Sequence, residues 1–282
     1  MSSTESTDAP AIYEKIGQVA YFRINRPSRS NSLNGGALDV LDHALADAAA
    51  DDEIKVLQFE GLGKGFCAGY DLAPTGAINI KTQTVPEDWL RLTRNNARWE
   101  SIYSFPKPTI AKVHGFALAG GFELAMSCDF VIAAEDTRIG HPPLRSLGVP
   151  PFLVFPQVLG HRATREMLLT GNSVSGRDAY ERGWITRAVP ADNLEEANDQ
   201  VLASLCAMPL INLKLIKASL LKADLMNGNR AVRAMGPEFD AIAHRADSAE
   251  IFWNTVDEKG LTTALRERDA PFVEWSYGDK QV

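Results

Sequence analysis

Thr109-Ile-Ala-Lys-Val-His-Gly-Phe-Ala-Leu-Ala-Gly-Gly-Phe-Glu-Leu-Ala-Met-Ser-Cys-Asp-Phe-Val-Ile-Ala-Ala-Glu-Asp-Thr-Arg-Ile-Gly140 parses as strand, glycine turn, helix and strand. Pro106 and Pro108 keep the preceding chain extended, because a proline disfavours the helical region for the residue before it. Ile110 to Val113 therefore reads as a strand, and the run stops at Gly115. A helix opens near Gly121 and carries Phe122, Leu124, Ala125 and Met126 inward before Phe130 to Ala134 forms a second apolar strand. A helix start after a Gly-Gly pair presents unpaired N–H groups with no side chain to fend off a ligand, which is an anion-binding arrangement. Glu123 stands in the first turn of this apolar helix. It reads either as a solvated acid favoured by the helix dipole or as a group with a chemical task.

Outward from this stretch, Ile12 to Glu14 and Val19 to Ile24 flank Gly17 as a hairpin, and Gly35 to Ala50 follows as a helix with Leu38, Leu41, Leu45 and Ala48 on one face. Ile54 to Phe59 is a buried strand leading into Gly61-Leu-Gly-Lys-Gly-Phe-Cys-Ala-Gly-Tyr-Asp-Leu72. This second glycine-rich turn fails as a nucleotide fingerprint: Phe66 stands where a dinucleotide motif needs glycine, and no Gly-Lys-Ser/Thr follows a spaced glycine. Residues 73 to 86 suit a flexible loop, and Trp89, Leu92, Trp99 and Ile102 mark a core helix. Thr164 to Thr170 and Ser175 to Gly183 read as helices, and Trp184 to Val189 as a strand. Beyond them Leu194 to Met208, Leu210 to Met226, Glu238 to Trp253 and Asp257 to Arg268 all read as helices. The chain thus divides into a disordered tail (1–10), an α/β core (11–200) and a C-terminal helical region (201–282). That region must pack its apolar faces on the core or on a second subunit.

A net charge of −7 weighs against nucleic acid as a partner, and no apolar run of transmembrane length occurs, so membrane insertion is not expected. Cys67, Cys128 and Cys206 form no paired motif, which argues against a zinc site or disulfide framework and for a reducing, cytoplasmic setting. No metal is expected. The two glycine turns suggest a mechanism: if the N–H groups of Tyr70 and Gly120 converge, they form a two-donor oxyanion hole for an acyl oxygen. Otherwise they are two unrelated tight turns.

Asn25-Arg26-Pro27 with Asn31-Ser32-Leu33, Gly65-Phe-Cys-Ala-Gly-Tyr-Asp-Leu72, Lys107-Pro108, His114-Gly115, Ala119-Gly-Gly-Phe-Glu-Leu-Ala125 and Cys128-Asp129 together resemble the crotonase, or enoyl-CoA hydratase, superfamily. The resemblance spans about residues 12 to 275 and implies a spiral of repeated β-β-α turns with a helical C-terminal trimerisation region, as homotrimers or hexamers. It implies an acyl-CoA thioester substrate, with coenzyme A carried by the substrate and no separate cofactor. By position it places Tyr70 and Gly120 as the oxyanion N–H pair, Glu123 as one of two catalytic glutamates, and Ala68 at the CoA adenine. It places Arg29 near the CoA-contacting first turn, and Arg268 with Phe272 at the CoA-contacting C-terminal end.

The second glutamate is missing: where the family has Gly-x-Pro-Glu, this chain has Gly140-His141-Pro142-Pro143, so the expected acid falls on Pro143, or on Leu144 if the register is counted back from Gly148, and no Asp or Glu occurs between Asp136 and Glu166. Hydration of an enoyl thioester moves protons at two carbons, which two carboxylates ordinarily manage. Pro143 can do neither transfer. Three functions remain open: a hydratase-like lyase relying on Glu123; another crotonase reaction needing one carboxylate, such as isomerisation, decarboxylation or thioester hydrolysis; or an acyl-CoA binding protein without catalysis. His141 offers a replacement proton carrier.

Overall fold

A computed structural model describes residues 9–73 and 83–272. The hairpin forms as β1 (Ala11–Ile16) and β2 (Val19–Ile24), antiparallel with Ile16 opposite Val19. Gly17 closes it at φ +58°, a left-handed conformation that glycine adopts without a Cβ penalty. β3 (Val56–Gly61), β4 (Thr109–Val113), β6 (Phe130–Ala134) and β9 (Arg187–Val189) add in parallel, giving the order β1-β2-β3-β4-β6-β9. The remaining strands, β5 (Phe116–Leu118), β7 (Arg138–Gly140) and β8 (Ser173–Ser175), form a second sheet in the order β5-β7-β8.

The two sheets create the spiral. From β4 the chain turns at Gly115 into β5 and then into helix α3 (Gly120–Met126); it returns to the first sheet as β6 and crosses to the second as β7. The preceding turn of the spiral meets the second layer through single bridges, Cys67 to Ala117 and Leu33 to Tyr70. The resulting fold stacks its β-β-α turns, and loops of successive turns line one cleft.

Helix α1 (Gly35–Ala50) starts where the Asn34 side chain accepts the Ala37 N–H at 2.9 Å. It buries Leu38, Leu41, Leu45 and Ala48 as their spacing requires. Helix α2 (Val85–Tyr103) begins with a capping box between Thr84 and Glu87, so the expected loop at 73–86 ends two residues early, and its residues 74–82 lie outside the described residues. The expected disordered tail also lies largely outside them, at residues 1–8. The parallel strands β3, β4 and β6 are buried on both faces, as parallel strands flanked by helices must be. Leu57, Phe59, Ala111, Val131 and Ala133 face the main core with α1, while Val56, Ile110 and Ile132 face Leu194, Ala197 and Val201 of the helix at Leu194–Ala207.

Short helices flank β8: α4 (Phe155–Val158) and α5 (His161–Thr170) precede it, and α6 (Gly176–Glu181), capped by Ser175 and Asp178, follows it. Then come α7 (Leu194–Ala207), α8 (Leu210–Met226), α9 (Asn229–Arg233), α10 (Gly236–Ala243), α11 (Asp247–Lys259) and α12 (Leu261–Asp269). α7 runs across position 200 and packs on the sheet with its N-terminal turns. The single helix expected from Glu238 to Trp253 is two, α10 and α11, separated at His244–Ala246; the helix expected from Asp257 breaks at Gly260, whose φ is +80°. The periodicity bridges both breaks because apolar residues on either side share a stripe. Arg233, almost wholly buried, ties this region to the core: it pairs with Glu100 of α2 and with Asp224 of α8, each at 2.7 Å, and its guanidinium lies 4.0 Å from the Tyr103 ring centroid. No single helix among the described residues is long and apolar enough to cross a membrane.

Candidate active site

At the edge where the spiral loops meet lies a cleft of about 620 Å³, its open mouth included. Ala68, Tyr70, Gly120, Glu123, His141 and Pro143 all line it, so residues from three separate stretches of sequence are brought together. The first wall is backbone. Gly69 adopts φ +103°, and a Cβ placed on it would lie 2.7 Å from the Ala119 Cβ and 3.1 Å from the Gly120 nitrogen. The two glycine turns therefore abut, and only glycine permits this approach. Ala119 sits at φ +53°, an uncommon conformation for a residue with a Cβ, and its N–H donates to the Gly140 carbonyl at 3.0 Å. Among the described residues, neither the Tyr70 N–H nor the Gly120 N–H donates to a protein acceptor.

Glu123 is completely buried at the first turn of α3. Its Oε2 accepts from the Trp99 indole N–H at 3.0 Å, whereas Oε1 has no hydrogen-bond partner. A buried carboxylate oxygen without a partner is costly and is a common mark of a working group. His141 Nε2 lies 3.7 Å from that oxygen, too far for a direct hydrogen bond, and His141 Nδ1 is likewise buried without one. The Tyr70 hydroxyl is also unpartnered; burial first, and then the nearby Glu123 charge, push its pKa well above the ordinary value.

The second wall comes from residues 141–151 and from α10. The Gly140-His-Pro-Pro stretch forms a short 3-10 turn at Pro142–Arg145, which places Pro143 in the cleft. Asp240 and His244, which sequence reasoning missed, complete this wall. Their spacing of four residues puts both on one helical face, a signal that was present but indistinguishable from an ordinary surface pair. The role of Trp99 was likewise hidden by its place in a core stripe.

The other expected residues are distributed as follows. The Ala68 N–H donates to the Ser30 carbonyl at 3.1 Å, which joins this cleft-lining residue to the turn that carries exposed Arg29. Asp71 below it remains acidic: burial works against its charge, but the Ala73 N–H, Arg26 and Arg29 together hold its pKa below the usual range. Arg268 and Phe272 do not line the cleft. Arg268 pairs with Asp269 at 2.8 Å, and Phe272 packs under the Arg145 guanidinium, 4.4 Å from its ring centroid. No cluster of metal-ligating side chains occurs among the described residues.

The enoyl-CoA hydratase/isomerase family model matches residues 14–272, and the chain belongs to that family. Among its relatives, a putative enoyl-CoA hydratase of Thermus thermophilus is 36% identical over 186 residues, covering 64% of this chain and 72% of the relative. The short-chain-enoyl-CoA hydratase of Clostridium acetobutylicum is 28% identical over 263 residues, covering 91% and 94%. The crystal structure of an enoyl-CoA hydratase/isomerase from Xanthobacter autotrophicus Py2 superposes with a TM-score of 0.88 at 29% identity, covering 94% of this chain and 98% of that one.

Proposed function

We propose that this enzyme adds water reversibly across the double bond of an α,β-unsaturated acyl-CoA thioester. The thioester oxygen accepts hydrogen bonds from the Tyr70 and Gly120 N–H groups, which draws electron density from the double bond and makes the β carbon electrophilic. Glu123 Oε1 holds the attacking water and takes its proton as the new C–O bond forms, while the Trp99 N–H fixes the other oxygen. The observation that carries this reading is the buried, half-unpartnered Glu123 beside two N–H groups with no protein acceptor. One such donor is worth about 3 kcal/mol in the transition state. The relatives' names favour the same chemistry.

Ala68 and Arg29 are assigned to the CoA moiety, the first by backbone contact with the adenine and the second by charge. Arg268 and Phe272, which lie away from this cleft, serve CoA only in an assembly that brings them to one. A homotrimer, alone or paired into a hexamer, is supported by exposed Leu215, Ile216 and Leu220 on α8 and Phe239 and Ile242 on α10. Multi-angle light scattering tests it: a monomer at micromolar concentration would remove the assembly. A second reading, double-bond isomerisation with one carboxylate, is favoured by Pro143 in the place of a second acid. Product analysis with a 3-enoyl-CoA separates the two.

The decisive assay mixes the protein with crotonyl-CoA and with longer, branched and aromatic enoyl-CoAs and follows loss of the conjugated thioester absorbance. Hydration abolished in Glu123→Gln is the expected result. Tight binding without turnover on every substrate would replace the enzyme by an acyl-CoA binding protein.

A further inference from the structure

The position that should hold a second acid is Pro143, yet a carboxylate reaches the same cleft from a part of the chain about a hundred residues further on. Asp240 lies in α10, is 4% exposed and lines the cleft with Glu123, His141 and Pro143. Its Oδ1 accepts the Val149 N–H at 2.9 Å and lies 3.5 Å from His244 Nε2. The other ring nitrogen of His244 is 2.7 Å from Oδ2 of Asp88, itself fully buried and paired with Arg91. No protein partner engages Asp240 Oδ2 among the described residues.

The backbone is shaped around this carboxylate. A Cβ on Gly148 would lie 2.2 Å from Asp240 Oδ1 and 3.2 Å from His244, so a larger residue there would displace the pair. At the start of α10, a Cβ on Gly236 would lie 2.3 Å from the Pro151 carbonyl, which itself accepts from Asn96 at 2.7 Å. The Pro150-Pro151 segment is thus the segment on which α10 is seated.

We infer that Asp240 is the second carboxylate of the site, exchanging a proton with the α carbon of the thioester, and that His244 and Asp88 are its positioning residues. This role rests on the hydration reading above. In the hydration direction water oxygen bonds to the β carbon, its proton passes to Glu123, and the double-bond electrons move toward the thioester oxygen as an enolate. The enolate then takes the Asp240 proton at the α carbon and the carbonyl re-forms. Solvent returns Asp240 to its acid form and Glu123 to its base form. Burial, opposed by the charge of His244 and by the Val149 N–H and reinforced by Glu123, raises the Asp240 pKa to about 6. His141 also faces it and lowers the value, while Arg91 stands one step behind Asp88. A carboxyl so tuned serves as acid and as base near neutrality.

The test is proton exchange at the α carbon of saturated butyryl-CoA in D2O, followed by NMR at several pH values, because it needs no hydration. Exchange by the parent enzyme should rise with pH through about 6, as Asp240 becomes its base form. Asp240→Asn should lower it by ~100-fold or more while binding butyryl-CoA as the parent does. His244→Gln should move the midpoint of the pH profile upward, which a purely structural role would not do. Unchanged exchange in Asp240→Asn would overturn the assignment, as would a parent enzyme that exchanges no α proton. Hydration of crotonyl-CoA, measured separately, decides the underlying reading by itself.

Discussion

The two walls of the cleft are held by different kinds of interaction. The first, from Ala68–Tyr70 and Ala119–Glu123, is backbone against backbone: two turns touch through Gly69 and Gly120, anchored by the Ala119 N–H to Gly140. The second is side chains on a helix that begins at Gly236 and is fastened through Asn96, Arg233 and the Pro150-Pro151 carbonyls. A wall of N–H groups is indifferent to the acyl chain beyond the thioester, since it meets only the carbonyl oxygen. A wall of side chains can change with the substrate. In the proposed mechanism the polarising half of the site rests on local geometry, and part of the proton-handling half rests on a distant helix.

Breaking the first wall should have the largest effect. Glu123→Gln removes the group that takes the water proton and should lower kcat for hydration by about 10²–10⁴-fold with little change in KM, measured by steady-state kinetics. Gly69→Ala strains a residue at φ +103° and drives a methyl group against Ala119 and the Gly120 nitrogen. It should lower kcat by about 10²–10³-fold, the loss seen when one oxyanion donor is misplaced.

The second wall should answer through pH. The folded-state pKa of Asp240, about 6, lies above its ordinary value of 3.8. The folded state therefore binds this proton more tightly than the unfolded state, and the associated stability is full below about pH 4 and lost as pH rises through 6. Asp240→Asn, which keeps an acceptor for Val149 but cannot ionise, should match the parent at pH 4 and exceed it by about 2–3 kcal/mol at pH 8, read from urea unfolding. Parent and variant with parallel stability curves from pH 4 to 8 would remove this. Gly148→Ala tests the same wall from the other side: it should cost about 1–3 kcal/mol through overpacking against Asp240 and His244, with the exchange activity falling alongside.

The sequence showed the first wall almost whole and the second hardly at all, and the reason is physical. Glycines that allow close approach, and an acid on an apolar helix, leave a mark wherever they stand, so Gly69, Gly120 and Glu123 were visible before any coordinates. The three-residue strands β5, β7 and β8 were not, because a strand that short has no period to detect. Asp240 and His244 were hidden for a related reason. The pattern reads their helix as one continuous element from Glu238 to Trp253, whereas α10 ends at Ala243 and α11 begins at Asp247. What the residues around Pro143 did reveal was an absence, and the structure places a carboxylate, Asp240, in the same cleft.

The most direct measurement is a crystal structure of the enzyme with butyryl-CoA. The thioester oxygen is expected at about 3 Å from both the Tyr70 and the Gly120 nitrogens, with the acyl chain running between Glu123 and Asp240. A thioester oxygen that meets neither N–H, or an acyl chain that leaves the cleft without passing these two carboxylates, would contradict the site described here.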